Sequence, residues 1–124
     1  MSKVKKTRND NQWTEARYWQ QVRSFLRRAF RYWKPMQKAK LSARRIYKGK
    51  NKRQKWEFQC NHCKNWFKST EVQVDHIIPV GSLKCEEDLV DWLKRLTPED
   101  PTSYQVLCID CHKIKSQNER KKTG

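Results

Sequence analysis

"EVQVDHIIPVG", residues 71–81, sets a carboxylate and an imidazole side by side in an otherwise apolar, strand-like run. Val72, Val74 and then Ile77, with polar neighbours, read as a half-buried β-strand. Asp75 and His76 would be costly to bury there unless something pairs with them. They are either incidental polar residues at a strand end or the reason the strand exists. The flanking sequence bears on that choice.

Cys60-x-x-Cys63 and Cys108-x-x-Cys111 lie on either side of this stretch. Each spacing lets two thiolates point at one ion from a tight turn, and two such turns complete a tetrahedron. The expected ion is Zn2+. With four thiolates it has no open coordination position, so its role is structural. His62, inside the first turn, is read as an exposed turn residue, and Cys85 as a small buried one. The opening lacks an apolar signal-peptide core and no long apolar run follows. Neither secretion nor a membrane span is therefore predicted. The expected compartment is a reducing cytoplasm, where cysteine pairs serve metals rather than disulfides.

The chain of 124 residues carries a net charge of +16, and its distribution is one-sided. Residues 1–55 hold 19 Lys and Arg against Asp10 and Glu15, a net of +17, and residues 56–124 net −1. Such a concentration points to a polyanion, most simply nucleic acid held through its phosphates.

Residues 1–12 read as loosely attached. A long helix is predicted from Thr14, its N-cap, with Glu15 in the first turn. Tyr18, Trp19, Val22, Phe25, Leu26, Ala29, Phe30 and Trp33 fall within an arc of roughly 140° at about 100° per residue. Arg17, Arg23, Arg27, Arg28, Arg31 and Lys34 fall opposite. Pro35 opens a second predicted helix, "PMQKAKLSARRIYK", carrying Arg44 and Arg45, and Gly49 stops it. These cations are the candidate DNA contacts. From Trp56 the pattern changes to strand, "CNHC" turn, strand, turn and strand. A helix over "EEDLVDWLKRL" and a loop follow, then an extended run ending in a helix. The predicted division is a basic helical extension, 1–55, and a zinc-bearing domain, 56–124.

His112 directly follows Cys111. If zinc draws the two turns together, His112 moves towards the strand bearing Asp75 and His76. One carboxylate and one imidazole can hold a divalent ion and leave positions for water and phosphate oxygens. A second histidine can then act as general base on a water. That set suits phosphodiester hydrolysis.

In combination, "CNHC…VDHIIPVG…YQVLCIDCHKIKS" resembles the HNH endonucleases, the ββα-metal nucleases, in their zinc-bearing form. The resemblance covers about residues 56–118. It implies an α+β fold with a small ββα-metal core stapled by a four-cysteine zinc. His76 is then the general base, and Asp75 and His112 ligate a catalytic Mg2+ or Mn2+. Lys115 falls where the family often has a basic residue, in reach of phosphate. The implied products are a 5′-phosphate and a 3′-hydroxyl. At the position of the family's middle asparagine this sequence has Ser103. Small free-standing members often occur in bacteriophages, some beside the packaging terminase. The resemblance thus suggests a phage protein working in a bacterial cytoplasm, with a terminase or a second copy as further partner.

The expected activity is that of a metal-dependent DNA endonuclease or nickase. Phosphate contacts carry no sequence information, so its sequence specificity is expected to be low. The alternatives are a zinc-stabilised, non-catalytic nucleic-acid-binding module and a phage packaging accessory protein.

Overall fold

In the computed structural model, which describes residues 4–123, Asn9, Asp10 and Asn11 all adopt left-handed backbone conformations. Asn and Asp tolerate that region better than other side-chain-bearing residues, and the run turns the chain back on itself. The resulting antiparallel ribbon joins β1 (Lys6–Arg8) to β2 (Trp13–Thr14). Residues 6–8, read from sequence as loose, are therefore paired; residues 1–3 lie outside the described residues. The chain continues through α1 (Glu15–Ala29), α2 (Lys34–Ser42), β3 (Arg44–Ile46), β4 (Trp56–Gln59) and β5 (Trp66–Phe67). Then come β6 (Val72–His76), α3 (Leu89–Leu96), β7 (Tyr104–Cys108) and α4 (Ile109–Thr123). The protein is a mixed α+β structure with short strands in small sheets. None of its described helices is long and apolar enough to cross a membrane.

The chain divides into two compact units. One contains the residues up to Tyr32 together with Val80–Thr97; the other contains Trp33–Pro79 and the chain from Pro98 onward.

In the first unit, Thr14 caps α1 by accepting the Arg17 N–H at 3.1 Å. Glu15 receives the Arg8 guanidinium on both oxygens at 2.8 Å, and the Trp19 indole N–H at 3.1 Å. The helix start is thus pinned to the ribbon. Trp19, Val80, Leu83, Trp92 and Leu96 form the core, with Leu83 and Trp92 wholly buried. Fully burying side chains of this kind contributes about 1.5–3 kcal/mol each.

The irregular run at 80–83 is held by side-chain donors. Arg95 donates to the Val80 carbonyl at 2.6 Å, Trp92 to Gly81 at 3.2 Å and Arg23 to Leu83 at 2.6 Å. Carbonyls without a sheet partner need such donors. Arg23 is therefore turned inward, and Arg27 lies 5.6 Å over the Trp92 ring. Phe25, expected in the core, is 64% exposed. Trp33 lies beyond α1 and belongs to the second unit.

In the second unit, β3, β4 and β5 form one antiparallel sheet, and β6 and β7 another. The predicted second helix carries its proline in the first turn, beginning at Lys34, but stops at Ser42, and Arg44–Ile46 become a strand. The extended form gains what a helix would forgo. Arg44 lies 4.0 Å over the Trp56 ring, Arg45 lies 3.6 Å over Trp66, and Arg45 pairs with Glu57 at 2.5 Å. Long-range pairing here outweighs a small helical propensity. Phe58, Val72 and Val106 make one buried cluster of this unit. Cys60, Leu107 and Cys108 make another.

Candidate functional site

Cys60 follows β4, and Lys64, in a left-handed conformation, closes the turn after it. Lys64 donates its backbone N–H to the Cys60 carbonyl, and Cys60 donates to Asn65, both at 3.0 Å. Cys108 ends β7 and Cys111 sits in the first turn of α4, its N–H 3.4 Å from the Cys108 sulfur. The sulfurs of Cys60, Cys63, Cys108 and Cys111 all lie within 4.8 Å of one another. A tetrahedral zinc with bonds of about 2.3 Å needs sulfurs roughly 3.8 Å apart. The cluster can thus hold an ion such as zinc with small side-chain adjustment. Cys85 belongs to the other unit.

The cluster's electrostatics also suit a cation. Burial opposes ionisation of Cys60, yet backbone amides of Cys108, Cys63 and His62 outweigh it and lower the thiol to about 6. Cys111 is pushed up to about 12, chiefly through its bond with Cys108 and by burial. One thiolate among close thiols suppresses ionisation of the next, and a divalent ion removes that conflict while releasing protons. His62 is exposed, as expected, with Nδ1 3.4 Å from the Cys111 sulfur.

The β6–β7 register sets Asp75 opposite Gln105 and His76 opposite Tyr104. Neighbouring side chains along a strand point to opposite faces. Asp75 faces α4, while the His76 ring packs 5.1 Å from that of Tyr104. Asp75 Oδ1 lies 3.6 Å from His112 Nε2. Its Oδ2 accepts from Gln105 Nε2 at 3.0 Å and lies 2.8 Å from Lys115 Nζ. The two oxygens therefore have separate duties: Oδ2 is occupied by protein donors, and Oδ1 is directed at the imidazole. An octahedral ion with ligand bonds near 2.1 Å brings adjacent ligand atoms to roughly 3 Å. Oδ1 and His112 Nε2 fit such an ion after a small closure.

Lys115 is committed to the protein. Its ammonium meets Asp75 at 2.8 Å, Glu119 Oε1 at 2.6 Å and the His76 carbonyl at 3.0 Å. Those contacts match the three donors an ammonium has. Burial alone would lower the pKa of Lys115, but Asp75 and Glu119 prevail and raise it.

Sequence reading passed over two members of this network, Gln105 and Glu119. Glu119 carried a signal, because His112, Lys115 and Glu119 at i, i+3 and i+7 share one helix face. Gln105 carried none, since only the strand register brings it to Asp75. Its other amide end accepts from Asn61 Nδ2 at 2.8 Å, so a hydrogen-bonded chain runs from the first cysteine turn to Asp75. Ser103 accepts the Ile77 N–H on its backbone carbonyl at 3.0 Å, immediately after β6.

The remaining candidate DNA contacts are spread over both units. Arg17, Arg28 and Arg31 are exposed in the first unit, and Lys34, Arg44 and Arg45 are exposed in the second. Arg17 lies 5.6 Å over Trp13, and Arg31 4.9 Å over Tyr32.

Comparison of the chain with protein-family models, curated proteins and solved structures gave no match.

Proposed function

We propose that the protein is a metal-dependent DNA endonuclease or nickase of the HNH type, stabilised by a structural zinc on its four cysteines. The observation that carries this reading is the split use of Asp75. One oxygen is fixed by Gln105 and Lys115, and the other is aimed at His112. A carboxylate needed only for an ion pair would not require an imidazole 3.6 Å from its second oxygen.

Asp75 and His112 are the residues that would hold Mg2+ or Mn2+. When bound, such an ion supplies charge neutralisation at phosphate and the leaving oxygen. His76, at the end of β6 and braced through its carbonyl by Lys115, takes the proton from an attacking water. Positioned general bases contribute about 10²–10⁴-fold. Exposed arginines and lysines hold the DNA through its phosphates, which favours cleavage with little sequence preference.

The test is nicking of supercoiled plasmid at low salt with Mg2+, Mn2+ or chelator. Wild type and His76→Ala are compared after both are checked for zinc content and DNA binding. Metal-dependent nicking lost in a folded, DNA-binding His76→Ala protein supports the reading. A wild type that binds but never cuts would leave a zinc-stabilised binding module.

A further inference from the structure

Away from both ligand sets, the second unit has a groove of about 440 Å3 beside β3 and β4. Arg44, Arg53, Lys55 and Lys68 line it together with Trp56 and Phe58. No carboxylate is among its lining residues. Glu57 and Glu71, the acids adjacent in sequence to its lining residues, are engaged elsewhere. Glu57 pairs with Arg45, which strand alternation turns to the opposite face from Arg44. Glu71 accepts the Lys68 backbone N–H at 3.2 Å. The β3–β4 connection also carries Lys48, Lys50 and Lys52.

Trp56 is 38% exposed, and the Arg44 guanidinium lies 4.0 Å over its ring. An ordinary solvated surface would mix charges and cover a tryptophan. Here a flat aromatic–guanidinium pair stands among cations with no acid to balance them. The complementary ligand has flat apolar faces and regularly spaced negative charges. Nucleobases stack on aromatic rings and on guanidinium planes. Inside a duplex both faces of each base are already covered, so duplex DNA could use the cations but not the ring.

We propose that this groove binds an unpaired segment of DNA, with a base stacked against Trp56 and Arg44 and the phosphates held by Arg53, Lys55 and Lys68. The assignment deepens the endonuclease reading and rests on it for the choice of DNA over RNA. It makes the preferred substrate a strand that is frayed, gapped or locally opened.

The test is fluorescence anisotropy of a labelled oligothymidylate, an oligouridylate of equal length and a hairpin duplex. Wild type, Trp56→Ala, Trp56→Phe and Arg53→Gln/Lys55→Gln are compared with the full chain. Trp56→Ala is expected to weaken oligothymidylate binding about tenfold, while Trp56→Phe retains most of it. The double variant should lower the salt dependence of single-strand binding by about 0.7 for each phosphate it no longer neutralises. Duplex binding should change little in Trp56→Ala.

Equal weakening on duplex and single strand, no weakening in Trp56→Ala, or tighter binding of oligouridylate would overturn the proposal. So would Trp56-dependent binding of phosphatidylserine vesicles in place of oligonucleotide. Plasmid nicking by the same wild-type preparation separates the two readings. Nicking without Trp56-dependent binding sinks only the groove, and Trp56-dependent binding without nicking sinks only the nuclease.

Discussion

Gln105 Nε2 donates to Asp75 Oδ2 at 3.0 Å while its carbonyl end accepts from Asn61 Nδ2 at 2.8 Å. One amide thus spans from the first cysteine turn to the carboxylate that faces His112. Replacing it leaves Asp75 Oδ2 to Lys115, which loosens the carboxylate's orientation without removing any candidate metal ligand. Partners of this kind typically contribute 10–100-fold to metal affinity or activity. Gln105→Leu should therefore raise the Mg2+ concentration for half-maximal nicking by about tenfold, with zinc content unchanged. A metal titration of nicking checks it, and an unaltered midpoint would show that Asp75 needs no such support.

Lys115 joins α4 to the end of β6 through Asp75 and the His76 carbonyl. Lys115→Met leaves a carboxylate that is only 13% exposed without its cation. We expect a loss of about 1–3 kcal/mol. Glu119→Gln should lose less, because the bonds to Asp75 and His76 survive. Urea unfolding of the three proteins would show the order.

The four cysteines bring their sulfurs together from turns after β4 and at the β7–α4 junction. Cys108→Ser should abolish stoichiometric zinc, and a strong chelator should unfold the second unit of the wild type, since metal binding and folding are coupled. Zinc analysis with near-ultraviolet circular dichroism reads both. Because Cys111 is raised to about 12 and keeps its proton at neutral pH, loading the apo protein should release protons there, whereas Cys60, lowered to about 6, contributes little.

Two changes probe the first unit separately. Thr14→Ala removes the side-chain acceptor of the Arg17 N–H and should cost about 1 kcal/mol, with Thr14→Ser restoring most of it. Leu83→Ala opens a cavity at a fully buried site and should cost about 2–5 kcal/mol. Equal effects in thermal melts would argue against the core placement of Leu83.

Strong acid should loosen the ribbon–helix contact. Arg8, followed by Trp19, lowers the Glu15 carboxyl from 4.5 to about 2. The folded value lies below the unfolded one, so this contribution is complete above pH 4.5 and fades as pH falls towards 2. Glu15→Gln should flatten the stability profile across that window by lowering the neutral-pH plateau towards the acid value, and by a small amount, as expected for an exposed pair. A pH series of urea midpoints tests the sign.

Local chemistry made much of this protein legible in its sequence. The Cys-x-x-Cys spacings announced two ligand turns, Thr14 announced a helix start, and the Val72–Val74 alternation announced β6. In each case the informative atoms lie within a few residues of one another. His112, Lys115 and Glu119 were equally local, one face of one helix, though only their joint spacing reveals it.

Tertiary structure decided the rest. Arg44–Ile46 are extended because Trp56, Glu57 and Trp66 reward that form. Arg23 turns inward because the Leu83 carbonyl, 60 positions away, needs a donor. Gln105 reaches Asp75 across 30 positions only through antiparallel register. Val80–Thr97, inserted between β6 and β7, folds with α1 instead of the strands that flank it. A sequence states what each segment prefers. Which distant donor, ring or carboxylate completes it depends on the burial and pairing free energy of the assembled chain.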